Sequence, residues 1–184
     1  MPNITPVDLQ QPGAATDIIN AVRTRTGGVP NIFATMARSP AVLEGFLAFS
    51  GALGGGELGA ALREQIALTV AGENSCDYCA SAHTYLAKSA RISDAEASLN
   101  LQGRATDPKV QKILSFVQDV VRSRGTLDDG GSALNSLRNA GVSDGEIVEI
   151  LAHIGINLFT NYFNHVAQTE IDFPFVTAAT SYAA

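Results

Sequence analysis

The chain has 184 residues, the usual size of one domain with one core, and its 46 % hydrophobic share excludes an intrinsically disordered chain. Twelve Lys and Arg against eighteen Asp and Glu leave a net charge of -6 with no basic cluster, which excludes the electrostatic footprint of a nucleic-acid binder. Neither a basic start with an apolar run nor a stretch of about 18 apolar residues is present, so a soluble, cytoplasmic protein without membrane contact is expected.

Apolar spacing reads as helix nearly throughout. Helices are predicted over 16–25, 30–38 and 40–53, punctuated by Gly27-Gly28, Ser39-Pro40 and Gly54-Gly55-Gly56. A helix over 57–71 places Leu58, Leu62, Ile66, Thr69 and Val70 on one face, and Gly72 follows as a stop. The next opens near Ser75 and runs to about Ala90. Ser93 and Glu96 form a capping box for a helix to about Gln102, and Asp107-Pro108 starts another, striped by Val110, Ile113, Leu114, Val117 and Val121, that ends at Gly125. A weaker pattern spans Asp129 to Ala140. Ser143 and Glu146 form a second capping box, heading a helix to Gln168. No hairpin signal is visible. The expectation is an all-α compact bundle of about eight helices in a single domain, 1–184. Within it, 1–56 forms an N-terminal arm, 57–90 a redox-active helix pair, 91–171 the C-terminal helices and 172–184 a tail.

Only two cysteines occur, Cys76 and Cys79, a separation that random placement would produce about once in a hundred chains. The loop they close is too short for a stability staple, and a reducing compartment argues against one. At ~100° per residue, Cys79 and His83, four apart, share a helix face with Cys76. A thiol with a pKa of about 8.5 needs a base or a positive dipole to ionise at neutral pH. His83 can accept the Cys79 proton, and the helix start favours a thiolate on Cys76. Once one thiol attacks an electrophile, the other can close a disulfide. Glu64 on the preceding helix could orient His83 if the two helices pack antiparallel through Gly72-Glu73-Asn74, or it could pair with Arg63 at the surface. Structural zinc sites usually recruit four Cys/His ligands and the chain has no second Cys pair, so no metal or organic cofactor is expected. Tyr78 is read as packing or as an oriented hydroxyl rather than as an acid, and is kept as a pocket candidate. Along the last helix, His153, Asn157, Asn161 and His165 recur every four residues and are read as a structural or interface stripe in preference to pocket lining.

The run Glu64 to His83, EQIALTVAGENSCDYCASAH, resembles the alkylhydroperoxidase D-like branch of the carboxymuconolactone decarboxylase family, whose motif is Glu, eleven residues, CxxC, three residues, His. A looser likeness extends through Pro30-Asn31-Ile32-Phe33 and Asn161-Tyr162-Phe163-Asn164-His165. The resemblance implies a helical fold, assembly as a homotrimer or homohexamer, Cys79 as the attacking thiol, Cys76 as the resolving one, and His83 with Glu64 as a proton relay. Peroxidase members carry a further histidine where this chain has Tyr78. The expected activity is reduction of a small hydroperoxide, or disulfide oxidoreduction, recharged by an external dithiol. The alternatives are a decarboxylase-like lyase using His83 and a non-catalytic redox-sensing helical oligomer.

Overall fold

The computed structural model describes residues 1–127 and 130–178. Asp129, the expected start of one helix, and 179–184 of the expected tail lie outside them. Among the described residues there are nine helices and no strand. They are α1 Thr16–Thr26, α2 Asn31–Met36, α3 Pro40–Gly54, α4 Ala60–Glu73, α5 Asp77–Ser89, α6 Asp94–Leu101, α7 Pro108–Ser123, α8 Ser132–Asn139 and α9 Asp144–Ala167.

The local signals explain most boundaries. Asp107 caps α7 by accepting the Lys109 and Val110 amides, with Pro108 in the first turn. The box at α9 is complete, Ser143 Oγ accepting the Glu146 amide and the Glu146 carboxylate accepting the Ser143 amide. At α6 only half of the expected box forms: Ser93 accepts the Glu96 amide, but the Glu96 carboxylate turns to Thr106 and Asn100. A long-range partner there outcompetes the local one.

Helix α4 begins at Ala60 rather than at Glu57, because a carboxylate from α9 takes over the preceding turn. Glu149 accepts the backbone N–H groups of Glu57 (2.8 Å) and Leu58 (3.1 Å), and these bonds hold its carboxyl below the usual range. Gly56 permits this approach, since a Cβ there would run into the Glu149 carboxylate.

From Gln65 to Gly72 every residue of α4 is buried, so it is the central helix and not an amphipathic surface one. It packs against α5, α6, α7 and α9. Instead of one core, the buried apolar side chains form two clusters with α4 as the shared wall. Leu68 and Ala71 face the cluster containing α5 and the N-terminal helices, whereas Ile66 and Val70 face the cluster of α7, α8 and α9. Gly72 is required where α4 passes α6, because a Cβ would overlap the Leu101 carbonyl. No helix among the described residues is long and apolar enough to cross a membrane. Val148, Leu151, Phe159, Tyr162 and Val166 on α9, with Val42 and Phe49 on α3, are exposed.

Candidate active site

Helices α4 and α5 form an antiparallel pair joined by a short turn. Asn74 fixes that turn to α9: its Nδ2 donates to Val70 O and to Asn161 Oδ1, and its carbonyl accepts from His165 Nε2 at 3.0 Å. Cys76 is the N-cap of α5, its sulfur accepting the Cys79 amide at 3.3 Å. Sulfur thus occupies the place where a capping oxygen normally meets the positive end of a helix. Cys76 and Cys79 are joined in a disulfide with Cα atoms 5.3 Å apart, and both are buried.

One turn beyond Cys79, His83 Nδ1 lies 2.8 Å from Glu64 Oε2. A carboxylate can only accept here, so Nδ1 carries the proton and Nε2 has the free lone pair. Both side chains are about four-fifths buried, at 23 % and 21 % exposure, which strengthens the bond relative to a surface pair. Glu64 is therefore not held by Arg63. That guanidinium reaches the turn before α4, where Nη1 donates to the Gly54 and Leu58 carbonyls.

The pair borders a cavity of about 270 Å³ lined also by Arg63, Ala67, Phe46, Leu53, His153, Asn157 and Thr160. An apolar groove of Val42, Phe49 and Phe159 adjoins it through Phe46 and Ile156. His153 is buried and its Nε2 has no hydrogen-bond partner among the described residues. Burial holds its pKa below that of an ordinary imidazole, the Arg63 charge adds to the effect, and Glu149 and Glu64 oppose it. The cavity thus contains a neutral histidine, a guanidinium and the His83–Glu64 pair. Among the described residues no three His, Cys, Asp or Glu side chains gather as a metal site.

The polar stripe divides. His153 and Asn157 line the cavity, against the structural reading of the whole stripe, while Asn161 and His165 tether the α4–α5 turn. The cause is geometric: a spacing of four drifts about 40° per step around a helix, so its two ends face different neighbours. Steps alternating between four and three keep to one face and add Thr160 and Asn164. Both are buried, and Asn164 Nδ2 donates to Cys79 Sγ at 3.4 Å. Asn164 has no role in the sequence reading, and this alternating spacing is the signal that would have picked it out.

Tyr78, the pocket candidate, does not line this cavity. It projects about 140° around α5 from His83 and packs edge-on against Phe173, with ring centroids 5.8 Å apart. Its hydroxyl donates to Asp172 Oδ1 (2.9 Å) and accepts the Ile32 amide (3.2 Å). Burial pushes its pKa up, the Ile32 amide pulls down, and the Asp172 carboxylate pushes up again, so the phenol stays protonated.

Residues 40–119 match the model of the Carboxymuconolactone decarboxylase family, a span containing Glu64, both cysteines and His83. No curated protein matches the chain. Among solved structures, the AhpD-core, peroxidase-related protein of Ralstonia eutropha JMP134 superposes with a TM-score of 0.79 at 21 % identity, covering 93 % of this chain and 92 % of that one. A peroxidase-related protein of Silicibacter sp. TM1040 gives 0.77 at 21 %, covering 91 % and 92 %. The debrominase Bmp8, solved with 2,3,4-tribromopyrrole, gives 0.77 at 19 %, covering 92 % and 91 %. At these identities the likeness is one of fold.

Proposed function

We propose, from the match of residues 40–119 to the carboxymuconolactone decarboxylase family model, that the chain is a thiol-dependent reductase of organic hydroperoxides. The observation that carries this reading is the oriented His83–Glu64 pair at a cavity one helical turn from Cys79, which is itself half of a closed CxxC disulfide.

In the reduced protein, His83 Nε2 takes the Cys79 proton, and the Glu64 carboxylate stabilises the imidazolium formed. The Cys79 thiolate attacks the terminal oxygen of the hydroperoxide. As the O–O bond breaks, the departing alkoxide takes the proton from His83 and leaves as alcohol, with Cys79 as sulfenic acid. Cys76 then attacks that sulfur through its own sulfur, water leaves, and the disulfide forms. An external dithiol returns both cysteines to thiols and is oxidised to its own disulfide. Phe46, Leu53 and the adjoining groove suit an apolar organic group beside the reacting oxygens.

The test follows cumene hydroperoxide loss under excess dithiol. Wild type should turn over, Cys79→Ser should be lowered at least 100-fold, and Cys76→Ser should lose dithiol-dependent turnover. Wild-type rates in Cys79→Ser would defeat the assignment, and a lyase working through His83 would instead survive thiol alkylation.

A further inference from the structure

Asn164 lies in the last turn of α9, its backbone carbonyl accepting the Gln168 and Thr169 amides. Its side chain is buried at 5 % exposure, as is Cys79 at 1 %. The carboxamide directs Nδ2–H at Cys79 Sγ (3.4 Å), and its Oδ1 is buried with no hydrogen-bond partner among the described residues. An unmet buried acceptor is costly and calls for an explanation. A disulfide sulfur is a weak acceptor and gives little in return. A thiolate sulfur at the same place would turn this contact into a charge-assisted bond in a dry environment.

We propose that Asn164 is a catalytic residue whose amide donor stabilises the Cys79 thiolate. The inference deepens the hydroperoxide-reductase reading and rests on it for the role of that thiolate, although the ionisation itself is independent of it. Each cysteine then has its own donor: the Cys79 amide for Cys76 Sγ, and the Asn164 side chain for Cys79 Sγ. The donor works in both halves of the cycle. When a hydroperoxide is reduced, it holds the attacking thiolate in place. When an external thiolate attacks Cys76 Sγ, the S–S electron pair passes to Cys79, which leaves as the stabilised thiolate and later takes up a proton. His83 Nε2 is the base that accepts the Cys79 proton, so the two groups act on one sulfur in different ways, one moving the proton and the other holding the charge.

The titratable groups on the elements packed around Cys79 are Asp77, Tyr78, His83, Tyr85 and Lys88 on α5, Arg63, Glu64 and Glu73 on α4, and Asp94 and Glu96 on α6. On α9 they are Asp144, Glu146, Glu149, His153, Tyr162 and His165, and in the C-terminal segment Glu170 and Asp172. All are retained in the comparison below, so a difference between variants reports the carboxamide.

The experiment uses Cys76→Ser protein, in which Cys79 is the one thiol, and measures iodoacetamide alkylation rate against pH by intact mass. In that background Asn164→Leu, of similar volume, should raise the midpoint by about one pH unit, leaving roughly tenfold less thiolate at neutral pH. Asn164→Ser, which keeps a hydroxyl donor, should fall between the two. An unchanged midpoint in Asn164→Leu overturns the proposal, as does an equal rise in the Leu and Ser variants, which would assign the effect to packing. Should Asn164→Leu not melt cooperatively, Asn164→Ala is read by the same criterion. Hydroperoxide consumption by the protein with both cysteines separates the two levels: a shifted midpoint without consumption sinks the reductase reading and leaves Asn164 assigned, whereas consumption with no shift does the reverse.

Discussion

The two faces of α5 belong to the same thirteen residues and are finished in opposite ways. On the side of the C-terminal segment three side chains are tied down by hydrogen bonds, although Thr84 Oγ1 there has no partner among the described residues. Asp77 Oδ1 accepts the Ala178 amide, Ser81 Oγ and Val176 exchange donor and acceptor, and the Tyr78 hydroxyl both donates and accepts. On the side of the cavity, His83 keeps a lone pair and His153 Nε2 has no partner among the described residues. Satisfied groups hold a helix in place, whereas open ones in a cavity can bind something that comes and goes. Tyr78 is instructive because a hydroxyl next to Cys79 invites a catalytic reading, yet its bonds place it with the holding face.

Glu64→Gln gives the largest test of this division. It keeps the shape of the pair but removes the charge that supports the imidazolium, and hydroperoxide consumption should fall about 100-fold with little change in melting temperature. A rate within twofold of wild type would take the pair out of the chemistry. Tyr78→Phe probes the other face. Leaving Asp172 and the Ile32 amide without their hydroxyl should cost about 2 kcal/mol in urea unfolding while the turnover rate stays within twofold. A large loss of rate at unchanged stability would move Tyr78 to the reactive side.

The smallest effect expected is a pH dependence from His153. Its pKa in the folded protein is depressed, so below about pH 6.5 the unfolded chain takes up the proton first. The stability it contributes is complete above that pH and is lost as the pH falls through the folded value. Unfolding free energy should therefore decline on acidification below about pH 6.5, and His153→Gln should make that decline shallower. Equal slopes in the two proteins would mean that the buried imidazole does not titrate as described. The depressed Glu149 carboxyl acts in the same direction but in a lower window, below the ordinary carboxylate range.

Much of the fold was legible because its signals are local. Asp107-Pro108 and Ser143 with Glu146 mark helix starts through bonds that span two or three residues, and the structure forms them as read. Local signals lose where a distant group competes. Glu96 left its box for Thr106, Glu149 replaced the first turn expected at Glu57, and burial on all sides of α4 hid behind what looked like an amphipathic pattern.

By itself the sequence determined an all-helical chain with Cys79 and His83 on one helix face, because spacing along a single helix is fixed by its geometry, whereas Cys76, expected on that face, lies just outside the helix as its N-cap. Only the tertiary structure decided which carboxylate meets His83, which amide meets Cys79 and where Tyr78 turns. These contacts join residues 19, 85 and 94 positions apart, and no periodicity within one helix can specify the packing that brings them within hydrogen-bond reach.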